Sequence, residues 1–463
     1  MQQELSGEDP QQTATGVPPM IPAFGRVVSR NRLFAAIFVL AALLRLATVL
    51  GYRPAWVYWF DSFTYLNSAI ELTPEKSWQP GGYPILLWLL RPLRSVAAVV
   101  VFQHALGLAI GVLVYLLLRR RGAPAWVATL AAVPQLCDAS FFRLEHAVLS
   151  DTLFMFLMVA GVVTLLWRDE VTFRRGVCVG LLLGGAAIVR TIALPTVLVA
   201  VLWLVVRGAG WRPVLAAFIG AAVPLSAHGA WYAHHHGSFS LTGSGSGVLL
   251  WARTMTFADC DVIRPPAEEA PLCPNGVTKD AASEYVWDPN SAINLFRGDE
   301  DTRDSLARSF AIRAILAQPL DYLHAVARDT SIAFAWTPIA HPKRTTPAYG
   351  FAKGVWPVPD NPLLEKIQQR YDPRVGVLRS VDPYAQLIVW YQYVGYLHGP
   401  LKLLIVLLGF AAVWRRPRTA VLPWLTGMFL LVGPVAVLDF DHRYVLPAIP
   451  LLSLAAGALA ARR

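Results

Sequence analysis

Long apolar runs separated by short polar segments dominate the chain, and their lengths predict its secondary structure. A transmembrane β-barrel would instead show short segments of alternating polarity. The runs cover residues 33–51, 96–118, 124–142, 147–167, 174–190, 191–206, 213–232, 397–414, 419–438 and 443–461. Each approaches the ~20 residues that an α-helix needs to cross the hydrocarbon core of a bilayer. The pattern predicts an all-α polytopic membrane protein with about ten transmembrane helices.

Composition agrees with this class and bears on the partners of the protein. The 463 residues are 55% hydrophobic and only 15% charged, with a mean hydropathy of +0.47. Although the net charge is +10, many arginines form short clusters between apolar runs, as is typical of cytoplasmic loops. We therefore expect membrane lipids, and no nucleic acid, as partners. A cytoplasmic N-terminus places these clusters inside, with Arg53, Arg91 and Arg94 as exceptions on the outer side.

This orientation divides the chain into regions and predicts a multi-pass protein of the cell membrane. The regions are a disordered cytoplasmic tail at 1–30, an N-terminal transmembrane module at 31–232 with a first outer loop at 52–95, an extracytoplasmic segment of mixed structure at 233–396, and C-terminal transmembrane helices at 397–463. Within the outer segment, apolar residues recur at helical spacing in Thr302–Ala317 and again in Leu320–Trp336, with Pro319 between them. We expect two helices there.

Two of the four cysteines, Cys260 and Cys273, lie in the predicted outer segment. Because an extracytoplasmic compartment is oxidising, a disulfide between them is expected. Two free thiols are the alternative.

An acidic residue close behind the first apolar run is the first candidate for chemistry. Asp61 lies among aromatic residues that include Tyr58 and Tyr65, a composition typical of the membrane–water interface. Its carboxylate could act as a general base or orient an acceptor hydroxyl. It could equally cap a helix that runs from Ser62 to Ile70.

A second cluster follows the third apolar run. Arg143, Glu145, His146 and Asp151 lie within nine positions, at the outer end of two predicted spans. An acid placed within a span is costly and usually functional, which favours a role for Asp151. For Glu145, a structural ion pair with Arg143 is the alternative.

Two arginines on the predicted outer side are candidates for binding an anion. Arg190 ends a glycine-rich run, and Arg443 opens the last run within Asp441-His442-Arg443-Tyr444. A guanidinium can bind a lipid phosphate through two parallel hydrogen bonds. A structural ion pair with Asp151 is the alternative for Arg190, and an arginine extending to the interface is the alternative for Arg443.

Together these features resemble the GT-C superfamily of integral-membrane glycosyltransferases, in particular the branch of protein O-mannosyltransferases and lipid A aminoarabinose transferases. The resemblance rests on the first-loop acid Asp61, the acidic cluster at the next outer turn, the outer Arg190, and the Arg-Tyr-x-x-Pro-x-x-Pro pattern from Arg443. It covers roughly residues 33–210 and 397–461. Asp61 is followed by Ser62 where many relatives carry paired acids, so a metal-binding role does not transfer to this loop. A divalent cation stays open as a cofactor.

The resemblance implies transfer of a sugar from a polyprenyl-phosphate donor to an acceptor hydroxyl at the extracytoplasmic face, with inversion. The acceptor would be a glycan, a lipid or a protein. The implied roles are catalysis by Asp61, Asp151 and Glu145, donor-phosphate binding by Arg443, Arg190 and His442, and acceptor or sugar binding by Tyr58, Tyr65, Arg143 and Asp441. A transporter or flippase for a lipid-linked sugar or a small molecule is the alternative, although the acids cluster at one face and not at mid-depth.

Overall fold

A computed structural model describes residues 31–76, 78–241, 243, 245–343, 350–358 and 360–462 of the chain. The tail predicted for residues 1–30 lies outside the described residues. The N-terminal part consists of apolar helices with two short helices between the first and the next long one. These are α1 Arg32–Gly51, α2 Trp59–Glu71, α3 Gly82–Leu90, α4 Val96–Arg120, α5 Ala125–Cys137, α6 Ala139–Glu145, α7 Asp151–Leu166, α8 Phe173–Val189, α9 Leu194–Val206 and α10 Trp211–His236.

The segment between α10 and the last apolar helices combines short helices with three short strands. Its helices are α11 Ser246–Thr254, α12 Cys260–Ile263, α13 Ala282–Trp287, α14 Ala292–Leu295, α15 Glu300–Ala317, α16 Pro319–Ser331, α17 Leu364–Arg370 and α18 Tyr384–Val394. Its strands are β2 Val355–Pro357 and β3 Val377–Ser380, which join β1 Tyr52–Arg53 from the first loop. The chain ends in α19 Gly399–Arg415, α20 Pro417–Val437, α21 His442–Val445 and α22 Ala448–Gly457. Single turns of 3-10 helix lie at Arg91–Leu93, Thr191–Ala193, Ala270–Leu272, Ile332–Phe334 and Ala458–Ala460.

The apolar runs of the sequence coincide with these helices, while the number of spans stays a prediction. Among the described residues, five helices are long and apolar enough to cross a membrane, and seven are if each bent helix pair counts as one span. The bent pairs are α5 with α6, at 52°, and α18 with α19, at 57°. Asp151–Leu166 and Thr191–Val206 are apolar but shorter. The structure therefore supports a mostly helical membrane protein.

Glycines allow the closest approach between two of the apolar helices, α8 and α10. A Cβ atom at Gly180 would lie 2.2 Å from the carbonyl oxygen of Ala217, and one at Gly220 would lie 2.6 Å from that of Val177. Both distances are far below van der Waals contact, so any larger side chain would push the helices apart. Small residues at helix interfaces are the usual means of close packing in lipid.

The long segment after α10 has a small core of its own and a sheet that ties it to the first loop. Trp251 of α11 and Phe310 of α15 are fully buried in that core. The sheet order is β1-β3-β2, both pairings are antiparallel, and Tyr52 lies opposite Ser380. The predicted disulfide between Cys260 and Cys273 is present, which confirms that prediction. Helices are present at both predicted stretches, as α15 and α16, and α16 begins at Pro319 and ends at Ser331, before the predicted end at Trp336.

Candidate functional site

Asp61 lies in the first turn of α2, and the structure excludes the alternative that it caps this helix. The cap position belongs to Tyr58, and the helix begins at Trp59. The reason is the Ser62 hydroxyl, which accepts a hydrogen bond from the Tyr58 amide at 2.7 Å and donates one to the Val148 carbonyl at 2.8 Å. These bonds fix the start of α2 before Asp61 and fasten it to the segment that leads into α7. A carboxylate in a first helical turn is stabilised by the helix dipole.

The carboxylate of Asp61 forms an ion pair with Arg443, which lies 382 positions later in the chain. Arg443 Nη1 donates to Asp61 Oδ2 at 2.9 Å, and Gln79 Nε2 donates to Asp61 Oδ1 at 2.7 Å. The Asp61 side chain keeps 25% of its surface exposed, whereas that of Arg443 keeps 11%. The acid can therefore be reached from solvent while the arginine forms part of the wall behind it.

A second ion pair, between Asp151 and Arg190, lies close to the first. Asp151 opens α7, and its Oδ1 accepts a hydrogen bond from Arg190 Nη1 at 2.7 Å. Only 1% of the Asp151 side chain is exposed. The structural pairing considered for Arg190 in the sequence is thus present in the fold.

Tyr444 connects the two ion pairs. The Arg443 guanidinium carbon lies 5.0 Å from the centre of the Tyr444 ring, and the Arg190 guanidinium carbon lies 5.3 Å from it. Arg443 Nη2 also donates to the Tyr444 hydroxyl at 3.2 Å. Tyr58 adds a further ring, 4.9 Å from the Arg443 guanidinium carbon. Two cations packed on aromatic faces are thereby held next to two carboxylates, a placement that cation–π attraction favours.

Some buried polar atoms of this group lack a hydrogen-bond partner within the described part of the chain. They are Oδ2 of Asp151 and Nε of Arg443, the latter 3.7 Å from Asp441 Oδ2 in an ion pair without hydrogen-bond geometry. Buried polar atoms without hydrogen bonds are costly and are rare in native structures. Their location beside Asp61 and Arg190 marks the group as a place where a polar ligand could bind.

The turn before α21 holds Arg443 in position. Asp441 accepts a hydrogen bond from the Arg443 amide at 2.9 Å and so caps α21. His442 Nε2 donates to the Ile339 carbonyl at 2.7 Å, so this nitrogen is directed to the backbone of the long segment. Asp439 accepts from the Ser283 amide at 2.9 Å, and burial raises the pKa of its carboxyl group. The turn is therefore fastened to two parts of that segment.

Glu145 belongs to a different, fully buried network. Arg45 of α1 binds both of its carboxylate oxygens, at 2.8 and 2.9 Å, and His104 Nδ1 lies 2.9 Å from Oε2. A Cβ atom at Gly107 of α4 would lie 1.9 Å from Oε1, so only glycine fits beside this carboxylate. The predicted partner Arg143 is directed elsewhere, to the Gly350 carbonyl and to the Trp56 ring at 4.2 Å. Glu145 and Arg143 are therefore not brought to the Asp61 group.

Tyr65 of α2 connects the helix that carries Asp61 to the start of α7. Its hydroxyl forms a 3.1 Å hydrogen bond with the hydroxyl of Ser150, the residue before Asp151. Burial raises the pKa of Tyr65, so it stays protonated at neutral pH. Tyr65 therefore helps to hold the start of α7 against α2.

The sequence assigned no role to four residues that complete the site. Gln79 lies in a Pro- and Gly-containing stretch without periodicity, and Ser62 and Ser150 lie in stretches that stand out for their acidic neighbours and not for a serine. Tyr444 stands in the Arg-Tyr-x-x-Pro-x-x-Pro pattern, which could have pointed to it.

Metal binding can be tested on the residues that surround Asp61. Across the described ranges, no group of three or more His, Cys, Asp or Glu side chains could hold a metal ion. The oxygens of Asp61 are directed to Gln79 and Arg443, and Oδ1 of Asp151 is directed to Arg190. This donor set does not fit a divalent cation, and no step proposed below uses one.

The protein is a bundle of apolar helices that carries paired carboxylates and arginines at one end. Its similarity to known families indicates which membrane proteins it resembles. The profile of the family described as dolichyl-phosphate-mannose-protein mannosyltransferase matches residues 81–219. The match covers less than a third of the chain and includes Asp151 and Arg190, but neither Asp61 nor Arg443. The resemblance to membrane glycosyltransferases suggested by the sequence is thereby confirmed. No curated protein sequence matches significantly.

Several solved structures are similar to this chain at 12–17% sequence identity. The O-mannosyltransferase Pmt1-Pmt2 complex of S. cerevisiae bound to the sugar donor is 17% identical, with 55% of this chain and 38% of that chain covered and a TM-score of 0.35. ArnT from Cupriavidus metallidurans bound to undecaprenyl phosphate is 14% identical, with 95% and 78% covered and a TM-score of 0.37. The oligosaccharyltransferase of Archaeoglobus fulgidus is 12% identical, with 93% and 50% covered and a TM-score of 0.45. Since these TM-scores are below 0.5, they do not establish a common fold.

Proposed function

We propose that this protein is a membrane glycosyltransferase, which transfers a sugar from a polyprenyl-phosphate donor to an acceptor hydroxyl at the extracytoplasmic face. The observation that carries the proposal is the pairing of the accessible Asp61 with the buried Arg443, beside the pair of Asp151 and Arg190. A base next to two fixed cations suits a reaction that deprotonates a hydroxyl and releases a phosphate. The matched family profile supports a lipid-phosphate sugar as donor.

Arg443 and Arg190 would bind the donor phosphate. Each uses one terminal nitrogen for its carboxylate partner, and Nε of Arg443 has no hydrogen-bond partner among the described residues. A planar guanidinium matches the geometry of phosphate oxygens. As the bond to the sugar breaks, these cations would stabilise the charge that develops on the leaving phosphate.

Asp61 would act as the general base once the donor is bound. A phosphate at Arg443 competes with Asp61 for that guanidinium and leaves Asp61 Oδ2 able to accept a proton. The acceptor oxygen attacks the anomeric carbon, its proton passes to Asp61, and the bond from the anomeric carbon to the phosphate oxygen breaks. A single displacement through an oxocarbenium-like transition state inverts the anomeric configuration.

Asp151 would orient the donor-binding arginine and not exchange protons with the acceptor. It is buried and its Oδ1 holds Arg190, so it fixes the direction of that guanidinium. Its second oxygen has no hydrogen-bond partner among the described residues and would accept a hydrogen bond from a sugar hydroxyl.

The donor class can be tested with the purified full-length protein in lipid. Labelled sugars would be supplied as polyprenyl-phosphate conjugates or as nucleotide conjugates, each with a panel of glycan, lipid and peptide acceptors. We expect transfer from a polyprenyl-phosphate donor and none from nucleotide sugars. Transfer from nucleotide sugars alone, or no transfer from any donor in the panel, would contradict the proposal.

A further inference from the structure

A second concave site lies away from the Asp61 group, where α3 ends. It is a cavity of about 490 Å³, lined by Trp88, Leu89, Arg91, Pro92, Arg94 and Arg370. Arg91 and Arg94 follow α3 directly, whereas Arg370 ends α17 in the long outer segment. Three arginines from two distant parts of the chain therefore line one open pocket.

The positive charge of this pocket is only partly balanced. Arg91 donates to the Ile70 carbonyl at 2.9 Å, and Arg94 donates to the Gln369 carbonyl at 2.8 Å. Backbone carbonyls orient these side chains but carry no net charge. Arg370 reaches Glu71 at 3.2 Å, and the same carboxylate is bound more closely by Lys366, at 2.7 Å. One carboxylate thus faces two cations, and within the described part of the chain Arg91 and Arg94 form no ion pair with a carboxylate.

The wall beside these arginines is apolar and exposed. Leu89 is 60% exposed, Leu93 is 61% exposed and Trp88 is 42% exposed. On the opposite face of α3, Tyr83 and Leu87 are fully buried. Apolar side chains beside a tryptophan and several arginines are typical of the membrane interface, where lipid acyl chains meet headgroup phosphates.

The position in the chain places this pocket at the same end of the bundle as Asp61. Both lie in the stretch that connects the end of α1 to the start of α4. Arg91 and Arg94 are also exceptions to the rule that arginines concentrate on the cytoplasmic side. Orientation of the protein in the membrane does not account for them, so another role is needed.

We infer that this pocket binds the headgroup phosphate of an anionic phospholipid in the leaflet that adjoins the candidate active site. The phosphate lies between Arg91, Arg94 and Arg370, and the acyl chains lie along Trp88, Leu89 and Leu93. Arginine forks form bidentate hydrogen bonds with phosphate oxygens, and an apolar wall beside them selects a lipid over a soluble anion. The site is independent of the proposed sugar transfer.

The test uses the full-length protein reconstituted in phosphatidylcholine with trace spin-labelled lipids. The fraction of immobilised label is compared between phosphatidylglycerol and phosphatidylcholine. We expect wild type to prefer phosphatidylglycerol, and Arg91→Gln/Arg94→Gln to weaken this preference about fivefold for each arginine removed. Arg370→Glu, a change at a half-exposed side chain, should weaken it as well and guards against misfolding of the double variant.

A matched control removes two exposed arginines of the long segment. Arg264→Gln/Arg297→Gln changes the net charge equally and lies outside the pocket, so the preference should be unchanged. The inference is wrong if wild type shows no preference, or if Arg370→Glu and the Arg91→Gln/Arg94→Gln pair both retain it. Displacement of the labelled lipid by inorganic phosphate would also overturn it, because the site would then take a soluble anion.

Discussion

At the scale of single residues, exposure separates two carboxylates to which the family resemblance gave the same catalytic role. Asp61 and Asp151 each pair with one arginine at under 3 Å, yet 25% of the Asp61 side chain is exposed and only 1% of the Asp151 side chain. A base must be reached by the acceptor, whereas a residue that orients an arginine need not be. This difference assigns the two acids different roles in the proposed reaction.

Arg443→Gln should weaken donor binding. A hydrogen bond to a charged group contributes about 1.5–3 kcal/mol, so binding of a polyprenyl phosphate should fall about 10- to 150-fold. The KM for the donor should rise accordingly, as measured by initial rates of transfer and by direct lipid-phosphate binding. Arg379→Gln, at an exposed residue of β3, is the control. Unchanged donor binding by Arg443→Gln would remove Arg443 from the phosphate site.

The pairing between site residues was the feature that the sequence predicted least well. Arg45 lies within the first apolar run, and its partner Glu145 lies 100 positions later in the chain. Which helix faces α1 depends on packing, and hydropathy carries no information about it. The predicted topology placed Asp61 and Arg443 on one side of the membrane, but it did not predict that they form an ion pair. No sequence pattern identified Gln79, because a single amide side chain in a loop has no periodicity.

At the scale of elements, hydropathy predicted the helices well and side-chain bonding shifted their ends. The apolar runs coincide with α1, α4 and the later apolar helices, because burial in lipid requires continuous apolar sequence. The start of α2 lies three residues before the predicted one, since Ser62 bonds to the Tyr58 amide and lengthens the helix backward. The sequence alone does not show which of these local hydrogen bonds forms.

Gly180→Ala and Gly185→Ala should have opposite effects on stability. A Cβ at position 180 would lie 2.2 Å from the Ala217 carbonyl oxygen, whereas one at position 185 would lie 3.8 Å from its nearest neighbour. The first change should destabilise by about 1–3 kcal/mol through overpacking. The second should stabilise by roughly 0.5–1 kcal/mol, because glycine is a poor helix former. Thermal unfolding in detergent measures both, and equal effects would contradict the packing of α8 on α10.

At the scale of the whole molecule, the connections between apolar helices bring distant loops to one end of the bundle. The first loop, the turn before α7, the residue after α8 and the turn before α21 all meet there. The proposed activity requires that this end faces away from the cytoplasm. Arginine clusters favour this orientation, and the disulfide is consistent with an oxidising compartment.

Labelling of Cys260 and Cys273 tests the orientation. In a Cys137→Ala/Cys178→Ala background, a membrane-impermeant maleimide should label intact cells only after reduction of the disulfide. The added background changes remove the two free thiols, so the signal reports the outer segment alone. Labelling that requires permeabilised cells would place this segment, and with it the candidate site, on the cytoplasmic side.

The central claim is that Asp61 is the base at a site built by Arg443, Arg190 and Asp151, and one rate comparison tests it. Transfer from the polyprenyl-phosphate donor would be compared between wild type, Asp61→Asn and Asp382→Asn. Asp382 is a control because it is a half-exposed acid that pairs with Lys353 away from the site. Removal of a general base should lower the rate about 100- to 10,000-fold, with folding and donor binding retained. The Asp382 variant should match wild type, and full activity of Asp61→Asn would contradict the account.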